Sequence, residues 1–284
     1  MTIESSHVKG ATTPPLYEET IGAALKQAVA QWPEREALVS VHQNIRWSYA
    51  ELERRAADLA CGLLCLGLER GDRVGIWAAN CAEWALTQFA TAKAGMILVN
   101  INPAYRTLEL EYTLNKVGVK ALVLAERFKS SDYPAMLAEL APEIAKSKPG
   151  ALAAAKLPQL KSLIVIGDVP RAGYLRFRDV AGMGQPKHHV ALAAIEHKLE
   201  SHDPINIQFT SGTTGQPKGA TLSHRNILNN GFFVGRSIAL EEGDRICIPV
   251  PLYHCFGMVM GNLACLVHGA TMVYPADGLS LIHI

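Results

Sequence analysis

The chain has 284 residues, enough for one large domain or two smaller ones. Nearly half of them are hydrophobic and 19% are charged, below the usual quarter or so, and this leans toward a large buried core. A net charge of +1 without a basic stripe argues against a nucleic-acid partner, and no apolar run reaches the roughly eighteen residues that a membrane span needs.

Residues 1–15 are polar, contain no apolar signal core and read as a flexible arm, so the cytoplasm is the expected compartment. The six cysteines, Cys61, Cys65, Cys81, Cys247, Cys255 and Cys265, form no C-x-x-C pair. They read as buried thiols of a reducing compartment rather than as a disulfide framework or a zinc site. His188 and His189 have no Cys, Asp or Glu at ligand spacing and read as loop residues.

In chain order, Glu19 to Gln31 has the pattern of an amphipathic helix stopped by Pro33, and Ala37–Val41 with Ile45–Trp47 resembles a small hairpin. Ser48 and Glu51 form a capping-box pattern, with Ser48 as N-cap and Glu51 reaching back, for a helix running to about Leu66 and stopped by Gly67. A strand over Arg73–Ala78, a helix over Ala82–Ala94, a strand over Met96–Val99, a helix over Thr107–Val117 capped by Thr107 and ended by Gly118, and a strand over Lys120–Leu124 follow. This alternation predicts an α/β fold of βαβ units with a mostly parallel sheet and helices on both faces. Ser130–Lys161 reads as helix plus loop, Leu163–Ile166 as a strand, and Ala172–Asp203 as an irregular surface excursion linking two lobes. Ser223 is placed to cap a helix over Arg225–Ile238, and a strand over Arg245–Val250, a helix over Met258–His268 and a strand over Ala270–Tyr274 complete the series.

Two stretches carry chemistry. The first runs from Ile205 to His224, INIQFTSGTTGQPKGATLSH: a strand-like run, a loop of small and hydroxylated residues, then a second strand-like run over Ala220–Leu222. Gly212 and Gly215 let backbone approach a ligand, successive N–H groups make a concavity for phosphate oxygens, and Thr210, Ser211, Thr213 and Thr214 add hydroxyl donors. Lys218 adds a mobile cation, and Pro217 stiffens the turn that presents it. The G-x-x-x-x-G-K-[ST] phosphate loop does not fit, because the glycine spacing is shorter, Gly219 follows Lys218, and a strand rather than a helix follows the loop. On glycine and threonine content alone an ordinary hairpin turn is the competing reading. The second stretch is Pro251-Leu252-Tyr253-His254-Cys255-Phe256-Gly257, directly after a strand, where open parallel sheets hold ligands. Packed aromatics around a satisfied core histidine are the competing reading there.

TSGTTGQPKG, comprising Thr210, Ser211, Gly212, Thr213, Thr214, Gly215, Gln216, Pro217, Lys218 and Gly219, resembles the signature loop of the adenylate-forming superfamily. The P-x-x-H-x-x-G pattern some forty residues on, Ile101–Val123, Asp203–Phe209 and GATLSHRNILNN resemble its acyl-CoA synthetases, above all those for medium-chain fatty acids. The resemblance runs from about Tyr17 to Tyr274 and implies the large N-terminal domain of adenylate-forming enzymes, with residues 16–200 as a first α/β subdomain and 201–284 as the start of a second. It implies a ligase that activates a carboxylic acid with ATP and Mg²⁺ as an acyl-adenylate and passes the acyl group to coenzyme A; a carrier protein is the other acceptor that the residues allow. Lys218 and the backbone of Ser211–Gly215 are assigned to the β- and γ-phosphates, and Thr210 or Thr214 to magnesium or a phosphate oxygen. Tyr253, His254, Phe256 and Gly257 are implied at the carboxylate pocket, with His254 placing the acid. Family members are longer and carry a Tyr-Gly-x-Thr-Glu segment, a Thr-Gly-Asp segment and a C-terminal lysine that this sequence lacks. The expectation is therefore an N-terminal fragment that does not turn over by itself, with LSLIHI as a foreign tail and a homodimer left open. A non-catalytic nucleotide- or acyl-binding remnant is the alternative.

Overall fold

Local hydrogen bonding decides where many of the elements begin and end. A computed structural model describes residues 10, 12–210 and 216–278. The centre of the signature loop, Ser211–Gly215, the LSLIHI tail and most of the N-terminal arm lie outside those residues. Thr20 Oγ1 accepts the Ala23 N–H and opens α1 (Ile21–Gln31); β1 (Glu36–Ser40) and β2 (Ile45–Ser48) then form the expected antiparallel pair. Ser48 Oγ accepts the Glu51 N–H and opens α2 (Tyr49–Cys65), as expected. The Glu51 carboxylate does not reach back to the cap; it takes two hydrogen bonds from Arg55, an opposite charge one turn on.

Next come β3 (Arg73–Trp77), α3 (Ala82–Lys93), β4 (Ile97–Asn100), α4 (Thr107–Val117) and β5 (Val119–Ala125), each within two residues of its predicted bounds. The N-cap of α4 is Arg106 rather than Thr107, because the Glu109 carboxylate accepts the Arg106 N–H. Gly118 ends that helix at φ 62°, a left-handed conformation that suits glycine. A two-strand ribbon, β6 (Arg127–Phe128) and β7 (Ser131–Asp132), leads into α5 (Tyr133–Leu140), a 3₁₀ turn over Pro142–Lys146, and β8 (Ser162–Ile166).

The segment predicted as an irregular excursion is instead structured. It holds β9 (Tyr174–Arg176), which pairs in parallel with β8, then α6 (Phe177–Ala181) and α7 (Pro186–Glu196). These pieces are too short, or too weakly sided, for periodicity to reveal them: Leu192 is the one buried residue of α7. His188 and His189 therefore lie in the first turn of a helix, and His188 Nδ1 accepts the Gln185 N–H. The chain continues as β10 (Pro204–Thr210), β11 (Lys218–Ser223), α8 (His224–Ser237), β12 (Arg245–Cys247), a π-helical segment (Phe256–Leu263), α9 (Ala264–His268) and β13 (Thr271–Tyr274). Of the six cysteines, Cys61 and Cys265 are buried, whereas Cys247 is exposed because β12 lies at a sheet edge.

Seven strands form one sheet in the order β11-β10-β4-β3-β5-β8-β9, parallel throughout except for the β10–β11 hairpin at its edge. A second sheet, β12-β13-β1-β2, is parallel except for β2. Each sheet thus draws strands from both sides of residue 200. The apolar side chains of α1, α2, α3 and α8 share one core with both sheets, joining Val74 and Ile76 of the large sheet to Leu38 and Met272 of the small one. On the far face of the large sheet, Leu110 and Leu114 of α4 and Leu137 and Leu140 of α5 cover Val99, Leu122 and Leu124. Strands buried on both faces explain the unbroken apolar runs in the sequence. Among the described residues no helix is long and apolar enough to cross a membrane.

Candidate functional site

The hairpin carrying the signature sequence is antiparallel, with Thr210 at the end of β10 directly opposite Lys218 at the start of β11. The loop over 211–217 therefore leaves and re-enters the sheet through neighbouring backbone positions. Thr210 and Lys218 are both exposed. Gly219 sits opposite Phe209, and a side chain there would press on Ile207 Cγ2 at 3.1 Å, so glycine keeps the hairpin flat on its neighbour. From α4 the Tyr112 hydroxyl donates to the Pro217 carbonyl (3.1 Å) and ties the returning end of the loop down.

A cleft of about 530 Å³ opens at the carboxyl ends of β4 and β10. It is lined by Asn100, Asn102 and Tyr105, by Gln208, Phe209, Thr210 and Pro217, and by Tyr253, His254 and Cys255. Both chemistry-bearing stretches thus meet in one concavity. Of the predicted residues, Thr210, Pro217, Tyr253 and His254 line it. Gln216 and Lys218 lie beside Pro217 on the hairpin without lining it, and Phe256 is 52% exposed outside it. Gly257 is buried beneath the loop.

The loop before His254 is held by amides that sequence reasoning missed. Asn80 Nδ2 donates to the Ile248 and Val250 carbonyls (3.3 and 2.8 Å) while its Oδ1 accepts the Leu252 N–H (2.8 Å). Asn100 Nδ2 donates to the Tyr253 carbonyl (3.0 Å). The segment from Asn102 to Tyr105 is held in turn: Trp77 Nε1 and the Tyr105 N–H donate to the Asn102 carbonyl and the Tyr133 hydroxyl to the Pro103 carbonyl. Burial, with Tyr253 and Glu109 adding to it, pushes the Tyr105 hydroxyl above its ordinary pKa, which keeps it neutral and a donor. The one signal that could have pointed to Asn100 and Asn102 is their place at a strand's carboxyl end.

His254 Nδ1 accepts the Phe256 N–H at 3.1 Å. In the neutral ring the proton then sits on Nε2, which is left as a donor suited to a carboxylate or phosphate oxygen. The helix after it begins as a π-helix at Phe256 rather than as an α-helix at Met258. The buried Gln88 side chain donates to the Met258 carbonyl (3.1 Å); Gln88 in turn accepts from Asn262, whose Oδ1 accepts the Tyr274 hydroxyl.

Gly257 is required by close approach. A Cβ at that position would lie 2.6 Å from the Pro251 carbonyl oxygen and 2.9 Å from Leu252 Cα. Gly257→Ala is therefore expected to cost about 1–3 kcal/mol through overpacking against backbone. Urea unfolding of the variant measures this, and an unchanged midpoint would contradict it.

For a nucleotide triphosphate the fit rests on the exposed cation and hydroxyl at the two ends of the hairpin and on the cleft beside them. For magnesium, no group of three His, Cys, Asp or Glu residues among the described residues makes a cage. An ion that arrives on a nucleotide keeps several waters and needs only one or two protein oxygens, and the Thr210 hydroxyl at the cleft can supply one.

The chain is 46% identical over 279 residues to a zebrafish protein, "Medium-chain acyl-CoA ligase ACSF2, mitochondrial", a match covering 98% of this chain and 46% of that protein. The human protein of the same name is 46% identical over 94% of this chain and 44% of its own length. The chain thus spans a little under half the length of these relatives. Among solved structures, the anthranilate CoA ligase AuaEII in complex with anthranoyl-AMP superposes with a TM-score of 0.75 at 23% identity, over 95% of this chain and 47% of that one. The N-terminal domain of FACL13 from Mycobacterium tuberculosis gives 0.69 at 21%, over 92% and 58%. The fold is thus the mixed α/β N-terminal domain of adenylate-forming ligases. The cytoplasmic expectation is corrected, because the ACSF2 relatives are named mitochondrial. That expectation rested on the lack of an apolar signal core in residues 1–15, which bears on a secretory signal and not on other kinds of targeting segment. Residues 25–282 match the family described as AMP-binding enzyme, and the chain belongs to that family.

Proposed function

We propose that this chain binds ATP and a carboxylic acid for the formation of an acyl-adenylate, within a ligase that then makes a thioester with coenzyme A. The observation that supports this best is the convergence of the Thr210–Pro217 hairpin and the Tyr253–His254 loop on one cleft. In this reading Lys218 and the backbone over 211–215 hold the β- and γ-phosphates, and Thr210 offers an oxygen to magnesium, which would supply positive charge against the phosphates when bound. His254 donates from Nε2 to the acid and so aligns its carboxylate with the α-phosphorus. Attack there displaces pyrophosphate, and the protein's part is alignment and offset of charge rather than covalent chemistry.

The substrate class follows from the names of the relatives, medium-chain acyl-CoA ligases, and a fatty acid of medium chain length is the proposed substrate. ATP–pyrophosphate exchange by the complete ligase that contains this chain, with short, medium and long straight-chain acids, tests it. Exchange that depends on the acid and peaks at medium chain length is the expected result. Nucleotide binding without exchange for any acid would overturn the catalytic reading.

A further inference from the structure

We infer that Asn100 is a positioning residue that locks the His254 loop in register with the signature hairpin. Its importance to acid activation rests on the function proposed above; the lock itself does not.

Asn100 is the last residue of β4, is 2% exposed and lines the cleft. Its parallel neighbour β10 places Gln208 opposite Asn100 and Asn206 opposite Leu98. Asn206, 1% exposed, donates from Nδ2 to the Leu98 carbonyl (3.1 Å) and to Asn100 Oδ1 (2.9 Å). Asn100 donates from Nδ2 to the Tyr253 carbonyl (3.0 Å). The result is a directed relay from the hairpin strand, through an amide on β4, to the residue before His254. The Tyr253 carbonyl can only accept, and Asn206 Nδ2 can only donate, so one orientation of the Asn100 amide satisfies both.

Packing alone does not call for these amides. The neighbouring positions Leu98, Val99 and Ile101 are buried and apolar, and two apolar side chains would fill the same space without any polar group to satisfy. Asn80 secures the loop at Ile248, Val250 and Leu252, whereas Asn100 grips it at Tyr253, one peptide from His254. β10, the strand that feeds the hairpin, and the His254 loop therefore share one reference point. For a reaction whose catalysis is alignment, a displacement of about 1 Å costs about a hundredfold.

Hydrogen exchange on the 284-residue chain, without ligand, tests the lock. The amides of His254, Phe256, Gly257 and Met258 are hydrogen-bonded within the loop and report its opening. Asn100→Ala is expected to lower their protection by about tenfold or more while the strands of the large sheet keep theirs. Asn100→Asp has the same shape, so it guards against a cavity artefact. Its neutral carboxyl donates to the Tyr253 carbonyl and its carboxylate cannot, so protection of the loop should return as the pH falls. Unchanged loop protection in both variants overturns the inference, as does a loss spread evenly over loop and sheet. In pyrophosphate exchange by the complete ligase, Asn100→Ala is expected to raise the KM for the acid about tenfold with the KM for ATP unchanged. Lost protection with an unchanged acid KM would overturn only the link to activation.

Discussion

In the complete ligase, replacing Lys218 with alanine is expected to slow adenylate formation by about a hundred- to a thousandfold without unfolding the protein. Both halves of this expectation follow from the place of the residue. Lys218 is exposed on an edge strand, and no carboxylate among the described residues pairs with it. Its side chain therefore stabilises little in the free protein, and its backbone pairing with Thr210 survives truncation. Pro217, held by Tyr112, fixes the point from which the ammonium reaches. That ammonium is the one lysine charge on a hairpin otherwise built from neutral residues, Thr210 to Gly219. Negative charge builds on the departing pyrophosphate in the transition state, so loss of the cation falls on the rate rather than on the fold. ATP–pyrophosphate exchange with thermal unfolding as a control measures both. Wild-type exchange in Lys218→Ala would remove Lys218 from the phosphate site, and Lys218→Arg, which keeps charge but not the compact ammonium, should recover part of the rate.

Much of this arrangement was legible in the sequence, for reasons that differ between residues. Ser48, Ser223 and Gly118 announce helix ends because caps are local chemistry, and apolar runs such as Met96–Val99 announce buried parallel strands. The hairpin stood out because its small, hydroxylated and cationic string resembles a signature loop, and the His254 loop because it follows a strand and carries a similar P-x-x-H-x-x-G pattern. That the two stretches share a cleft was an inference from resemblance, and strand order is what brings them together: β10 pairs with β4 across more than a hundred residues of chain. The amides of Asn80 and Asn100 were not legible. Each bonds to backbone more than 150 residues away, and an asparagine after a strand reads as a turn residue until the partner is seen. β9, α6 and α7 escaped notice because their short apolar patterns have no clear period.

Lowering the pH from about 6.5 to 4 is expected to cost the fold about 3 kcal/mol through His224 alone. This histidine, the first residue of α8, is fully buried, and its Nδ1 accepts the Ile21 N–H at 3.1 Å, joining α1 to the hairpin's exit. Burial pushes its pKa down from 6.5 to about 4, although Asp203 pulls the other way. A positive charge at a helix N-terminus is opposed by the dipole as well. Between those two pH values the unfolded chain binds a proton that the folded one refuses. The stabilisation is therefore complete above about pH 6.5 and drains away as the pH falls toward 4. Other groups titrate lower down, such as Glu18, held below its ordinary value by Arg225 and Ser201, and Glu36, held down by Arg46. A difference between two proteins that share those groups isolates the histidine. His224→Asn supplies it, because an amide oxygen can take the place of Nδ1 opposite Ile21 while carrying no titrating proton. At neutral pH the variant should be the less stable, having lost buried ring contacts. As the pH falls from 6.5 the gap should narrow and then close. Urea unfolding midpoints at a series of pH values give the comparison, and parallel curves would mean that His224 is charged in the folded protein or leaves its site before it titrates.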